Sequence, residues 1–137
     1  MAHALVAVDF SDLSETTVKQ AVALTTHKIT LMHVLQHTLT AHAEANAPDD
    51  LIKRIHRGEE QEANFQLEAI ALHVPADRRG DLLLRRGSPA EVIVKEASQY
   101  DMVIVSTTGR TGIQHMLLGS VAERVVRLAS KPVLVVR

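Results

Sequence analysis

The stretch from Ser106 to Val126, STTGRTGIQHMLLGSVAERVV, gathers three glycines with serine, threonine and arginine side chains directly after the apolar run Asp101–Val105. Glycines let backbone N–H groups come close to phosphate oxygens. A helix beginning near Ser120 adds unpaired N–H groups and the positive end of its dipole to the same anion. Gly109 and Gly119 have nine residues between them, Gly112 among these, so the two ends of the loop can grip one polyphosphate. Arg110 suits the outer phosphates through bidentate guanidinium contacts, and it equally suits a solvated loop. The spacing matches neither a Walker loop nor a dinucleotide fingerprint. On spacing alone, a phosphate cradle and a plain turn both stay open.

A second loaded position is Asp9, which closes the run ALVAVDF. Its carboxylate can accept from hydroxyl or amino donors, and it also suits an Asx turn or the cap of a following helix. Other chemistries find less support. Eight histidines are present, but His33 closes an apolar run while His37 and His42 fall in a polar segment without a carboxylate cluster, so no dedicated metal site is expected. Magnesium carried on bound phosphates needs few protein ligands and is compatible with this chain. No GxSxG elbow occurs, and phosphoryl-transfer catalysis would need a positioned base and several cations about the γ-phosphate. Any phosphoryl-transfer chemistry is therefore expected to be slow.

The whole chain narrows the partners. Its 137 residues suit one domain spanning 1–137 with a core of its own. Fifteen basic and 16 acidic side chains leave a net charge of -1, so no global positive field gathers a polyanion. The aromatic residues are Phe10, Phe65 and Tyr100, too few for base stacking. Nucleic acid is not an expected partner. Cysteine is absent, which excludes disulfides and thiolate zinc sites. The start MAHALVAVDF lacks the regions of a signal peptide, and no apolar stretch reaches membrane-spanning length. A soluble, cytoplasmic protein without membrane association is expected.

Periodicity supplies the elements that must position these groups. Ala4–Phe10, Lys28–Val34, Asp81–Arg85, Asp101–Val105 and Pro132–Val136 are short, nearly continuous apolar runs, the pattern of strands covered on both faces. Between them lie helical patterns. Asp12 with Glu15 reads as a capping box opening a helix to about His27, with Val18, Ala21, Val22 and Thr25 on one face. A second helix spans about Asp49 to Leu72, its run Lys53–Glu62 forming a solvated face. Ser88, Pro89 and Glu91 open a third. The last covers about Ser120 to Ala129, with Val121, Val125 and Leu128 inward and Pro132 beyond its end. The segment Leu35–Pro48 reads as a polar, mobile excursion. Strands alternating with helices predict an α/β fold: an open, five-stranded, mostly parallel sheet, doubly wound with helices on both faces. Ligands of such sheets bind beyond the carboxyl ends of the strands, where strand order reverses.

VAVDFS, LMHV, RRGSPAEVIVKEA, DMVIVSTTGRTG and LLGSVAERVVRLASKPVLVVR together resemble the universal stress protein family over essentially the whole chain. The resemblance implies an adenine nucleotide alpha hydrolase-like fold and a stress-response sensor or regulator, and it is closest to the ATP-binding branch. That branch carries glycine, two residues, glycine, nine residues, then glycine and Ser/Thr. Here Ser106, Gly109, Gly119 and Ser120 occupy these positions, with serine in place of the first glycine. By this likeness Asp9 lies against the nucleoside, Ala7 forms a neighbouring wall, and the backbone of Val34 reads the adenine edge. Ser106, Gly109, Gly119, Ser120 and Val121 contact ribose and phosphates, joined by Arg110. The Ser106 Cβ weakens binding if the backbone there needs positive φ, and Ser106→Gly is expected to tighten it. A module that does not retain ATP because of Ser106 is the alternative, and self-phosphorylation at Ser120, Thr107, Thr108 or Thr111 is a third reading. The apolar last strand, Pro132–Val136, calls for cover, and the resemblance implies a homodimer through it, besides an unknown regulated protein partner.

Overall fold

The computed structural model describes residues 1–36, 41–107 and 118–137, and for residues 41 and 42 the backbone alone. In chain order it contains β1 (His3–Ala7), α1 (Leu13–Leu24), β2 (Lys28–Leu35), α2 (Ala41–Asn46), α3 (Asp49–Ala71), a 3-10 turn (Ala76–Arg78), β3 (Arg79–Arg86), α4 (Pro89–Ala97), β4 (Met102–Ser106), α5 (Ser120–Leu128) and β5 (Val133–Val136). The strands form one sheet in the order β3-β2-β1-β4-β5, and every pairing is parallel. The doubly wound α/β arrangement expected from the sequence is therefore present.

Alternation along the strands divides the core between two faces. Ala4, Val6, Ile29, Leu31 and Ile104 pack with Val18 and Ala21 of α1 and Leu67 and Ala71 of α3. Leu5, Met32, Val103 and Val105 pack with Ala90, Ile93 and Ala97 of α4 and Ala122 and Val125 of α5. Each central strand is apolar on both sides because each side meets helices. Residue Gly80 marks the tightest approach between β3 and β2. A Cβ there would collide with Thr30 Oγ1 and stand 2.9 Å from both His3 Nε2 and Ile29 O.

Several local expectations change. Asp12 adopts helical angles, φ -59° and ψ -22°, and makes no side-chain cap, because a capping side chain needs an extended backbone to reach the N–H groups ahead. Glu15 pairs instead with Lys19 at 2.6 Å. Ser88 has the extended conformation expected before Pro89 but also makes no side-chain cap, and Glu91 reaches Arg124 of α5 at 3.6 Å. In α5 the inward residues are Ala122 and Val125, with Ala129 packed beside them, while Val121 and Leu128 are 36% and 49% exposed. The helix is thus turned by roughly 65°, less than one residue's step of about 100°, from the expected stripe, with Val125 inward in both. The excursion Leu35–Pro48 contains α2, whose alanine-rich sequence favours helix. Glu44 of α2 lies 3.9 Å from His56 of α3.

α1 has no basic residue in its last turn. Arg78, arriving from the turn before β3, donates to Val22 O at 3.0 Å, Thr25 O at 2.9 Å and His27 O at 2.9 Å. One guanidinium so satisfies the carbonyls that end α1 and lead into β2. Arg78→Met keeps the stem's packing and strips these bonds. It is expected to lower unfolding free energy by about 2–3 kcal/mol, measured by urea denaturation, and a change within error would show that these carbonyls are satisfied by water.

Candidate functional site

The carboxyl ends of the strands are where the sequence-derived residues converge. β1 keeps its pairing with β2 through Val8, whose N–H donates to Met32 O at 2.9 Å. The chain then turns away through Phe10, which holds a positive φ of 62°. For a phenylalanine this conformation costs on the order of 1–2 kcal/mol. The ring is held in return by stacking on His33, with centroids 4.0 Å apart and planes 25° from parallel, and by packing against the core of that face. His33 Nδ1 lies 2.7 Å from Val8 O. A carbonyl only accepts, so Nδ1 carries the proton.

The same turn fixes Asp9. Its Oδ1 accepts from Ser11 N at 2.9 Å and from Ser14 Oγ at 3.2 Å, while Ser11 O accepts from Ser14 N at 3.0 Å. The Asx-turn role is therefore real, and it anchors the carboxylate at the rim of the sheet. Ala7, the last residue of β1, is half-buried beside the core shared with α4 and α5. Val34 is the next residue after Met32 on the side of β2 that faces β1, one step past the last rung.

Across the reversal of strand order, β4 ends at Ser106, half-buried and paired with Val136. Among the described non-glycine residues positive φ occurs at Phe10 and not at Ser106, so the backbone here does not call for glycine. Thr107 then ties the end of β4 to the start of α5: its N–H donates to Val136 O at 2.8 Å and its carbonyl accepts from Gly119 N–H. Gly119 is the N-cap of α5, extended at φ -62° and ψ 161°, and its carbonyl accepts from Glu123 N at 2.9 Å. Ser120 and Val121 form the exposed first turn. The amino end of a helix, with its unpaired N–H groups, is thereby fastened to the end of β4. Gly109 and Arg110 lie outside the described residues.

The structure thus brings Ala7, Asp9, Val34, Ser106, Gly119, Ser120 and Val121 to one edge. Residues that the motifs did not flag also belong to it. Phe10 and His33 wedge the β1–β2 seam, and no spacing rule announces a stacked pair of this kind. At the end of β3, Arg86 sits 3.7 Å from Glu59 and 3.9 Å from Glu60, with both terminal nitrogens buried and without a hydrogen-bond partner. These two carboxylates balance the Arg86 charge. Among the described residues no three histidine, aspartate or glutamate side chains converge as a metal cage. No helix among them is long and apolar enough to cross a membrane.

Comparison with known proteins agrees with the resemblance noted in the sequence. The Universal stress protein family model matches residues 1–137. The universal stress protein MJ0531 of Methanocaldococcus jannaschii is 31% identical over 138 residues, covering 97% of this chain and 80% of that protein. The solved structure of MJ0577, a universal stress protein of the same organism, aligns with a TM-score of 0.81 at 29% identity over 98% of this chain and 94% of its own. A family member from Arabidopsis thaliana, solved with AMP bound, shares the fold at a TM-score of 0.66 and 18% identity, over 99% of this chain and 91% of its own. By sequence along its whole length and by its adenine nucleotide alpha hydrolase-like fold, the chain belongs to the universal stress protein family.

Proposed function

We propose that this protein binds ATP across the carboxyl ends of β1 and β4 and acts as a nucleotide-dependent sensor or regulator in a cytoplasmic stress response. Val34 offers its backbone to the adenine edge, Ala7 walls the base, and Asp9 faces the nucleoside hydroxyls. The phosphates rest between Gly109, Arg110 and the first turn of α5 at Gly119, Ser120 and Val121, with Ser106 at the ribose. Magnesium, where present, is carried by the phosphates. The observation that most supports this reading is the fastening of the α5 amino end to β4 through Thr107 and Gly119. It presents fixed N–H donors to an anion beside the point where strand order reverses. AMP on the same fold in the Arabidopsis protein points to the same ligand class.

The ordinary backbone at Ser106 favours ATP retention over a module emptied by the loss of glycine. Hydrolysis is a lesser expectation, because the described residues at this edge offer no positioned general base beside a cluster of cations. Calorimetry on nucleotide-stripped protein should show ATP saturating one site well below about 1 mM, a binding free energy beyond roughly -4 kcal/mol. Ser106→Gly should stay within about three-fold of wild type, since no backbone strain is relieved. Absence of heat and of thermal shift at millimolar ATP contradicts the reading. A large gain in Ser106→Gly would show instead that the serine Cβ obstructs the ligand.

We further propose that the protein is a homodimer through Pro132–Val136. β5 is an edge strand. Pro132 O and Val136 O accept from β4, so the alternate residues Val133 and Val135 direct their N–H and C=O groups outward. An apolar edge of this kind invites pairing with a second copy about a two-fold axis. Val135→Pro removes an outward donor and leaves the β4 ladder intact. Analytical ultracentrifugation should find a dimeric wild type and a folded, monomeric Val135→Pro; a monomeric wild type would refute the assembly.

A further inference from the structure

The parting of β1 and β2 has a specific cause. In a parallel ladder, a residue whose N–H donates to one neighbour on the facing strand accepts, through its carbonyl, from the residue two further along that strand. Val8 N–H donates to Met32 O at 2.9 Å. The next rung would therefore run from Val34 N–H to Val8 O. The ladder instead ends at Ala7 and Met32, and Val8 O is taken by His33 Nδ1 at 2.7 Å. His33 is 7% exposed, and the Phe10 ring lies flat on its imidazole. The histidine cannot swing away from the carbonyl without breaking that stack.

We propose that His33 is a positioning residue that intercepts Val8 O and so keeps the main chain of Val34 available to a ligand. This rests on the nucleotide-binding reading and deepens it. A backbone N–H paired with a neighbouring strand cannot also read a base. An adenine edge offers a ring-nitrogen acceptor beside an amino donor, the complement of one residue's N–H and C=O. Guanine presents the opposite arrangement on that edge, so a Val34 backbone released from the ladder selects adenine. Phe10 accepts its left-handed conformation as part of the same device: its ring braces the imidazole while its backbone carries the chain from β1 toward α1.

The test compares three proteins: wild type, His33→Leu, which keeps apolar volume without a donor, and His33→Asn, which keeps a donor near the Nδ1 position. In His33→Leu the Val34 amide should close onto Val8 O and exchange with deuterium at least about ten-fold more slowly, while ATP affinity falls about ten-fold and preference over GTP narrows. His33→Asn should restore fast Val34 exchange and adenine preference. Simple destabilisation would speed exchange throughout the sheet and would not slow it at one amide. If wild type binds ATP and His33→Leu matches it in affinity, selectivity and Val34 exchange, the role of His33 is overturned and the nucleotide site stands. If wild type does not bind ATP, the nucleotide reading fails by itself, and unchanged Val34 exchange in His33→Leu then overturns the interception of Val8 O.

Discussion

The position of the candidate site follows from one constraint: crossovers between parallel strands keep a single hand. The chain leaves β1 for α1 on one face and leaves β4 for α5 on the other. Because β1 and β4 are neighbours, their exits diverge at their carboxyl ends, the place where ligands of such sheets bind. The remaining contacts set what lines that edge. Phe10 and His33 part β1 from β2, Asp9 is fastened by Ser11 and Ser14, and Thr107 draws α5 back against β4.

Most of what the described residues offer at this edge is backbone. Val34, Gly119 and the first turn of α5 offer N–H and C=O groups, and the acidic Asp9 is partly spent on its own turn. Charged side chains nearby are paired off, Arg86 by Glu59 and Glu60 and Arg85 by Glu96 at 3.6 Å. Main-chain donors of this kind orient an anion without supplying a base.

The strands and longer helices were legible in the sequence because burial on both faces leaves uninterrupted apolar runs, while helices keep a wider period. The rotation of α5 was not legible. Val121, Ala122, Val125 and Leu128 are all apolar, so two stripes fit the period equally well, and only packing against the sheet chooses Ala122 and Val125. Caps failed for a related reason. The pairs Asp12 with Glu15 and Ser88 with Glu91 have the right spacing, yet Lys19 and Arg124 offered competing partners. At this edge, Asp9, Val34 and the Gly119–Ser120 pair were singled out through motif and likeness. The stacking of Phe10 on His33 was not, since it depends on a positive φ that no residue type at that position announces.

The central claim is that one nucleotide lies across the carboxyl ends of β1 and β4. A proton–nitrogen NMR titration of the intact protein with ATP and magnesium addresses it residue by residue. The account predicts that the largest amide shifts fall at Asp9, Val34, Ser106 and Gly119 to Val121, drawn from five separate elements and loops, with the outer edge of β3 and the exposed face of α3 unmoved. Shifts confined to other surfaces, or a spectrum unchanged at saturating ATP, would contradict it.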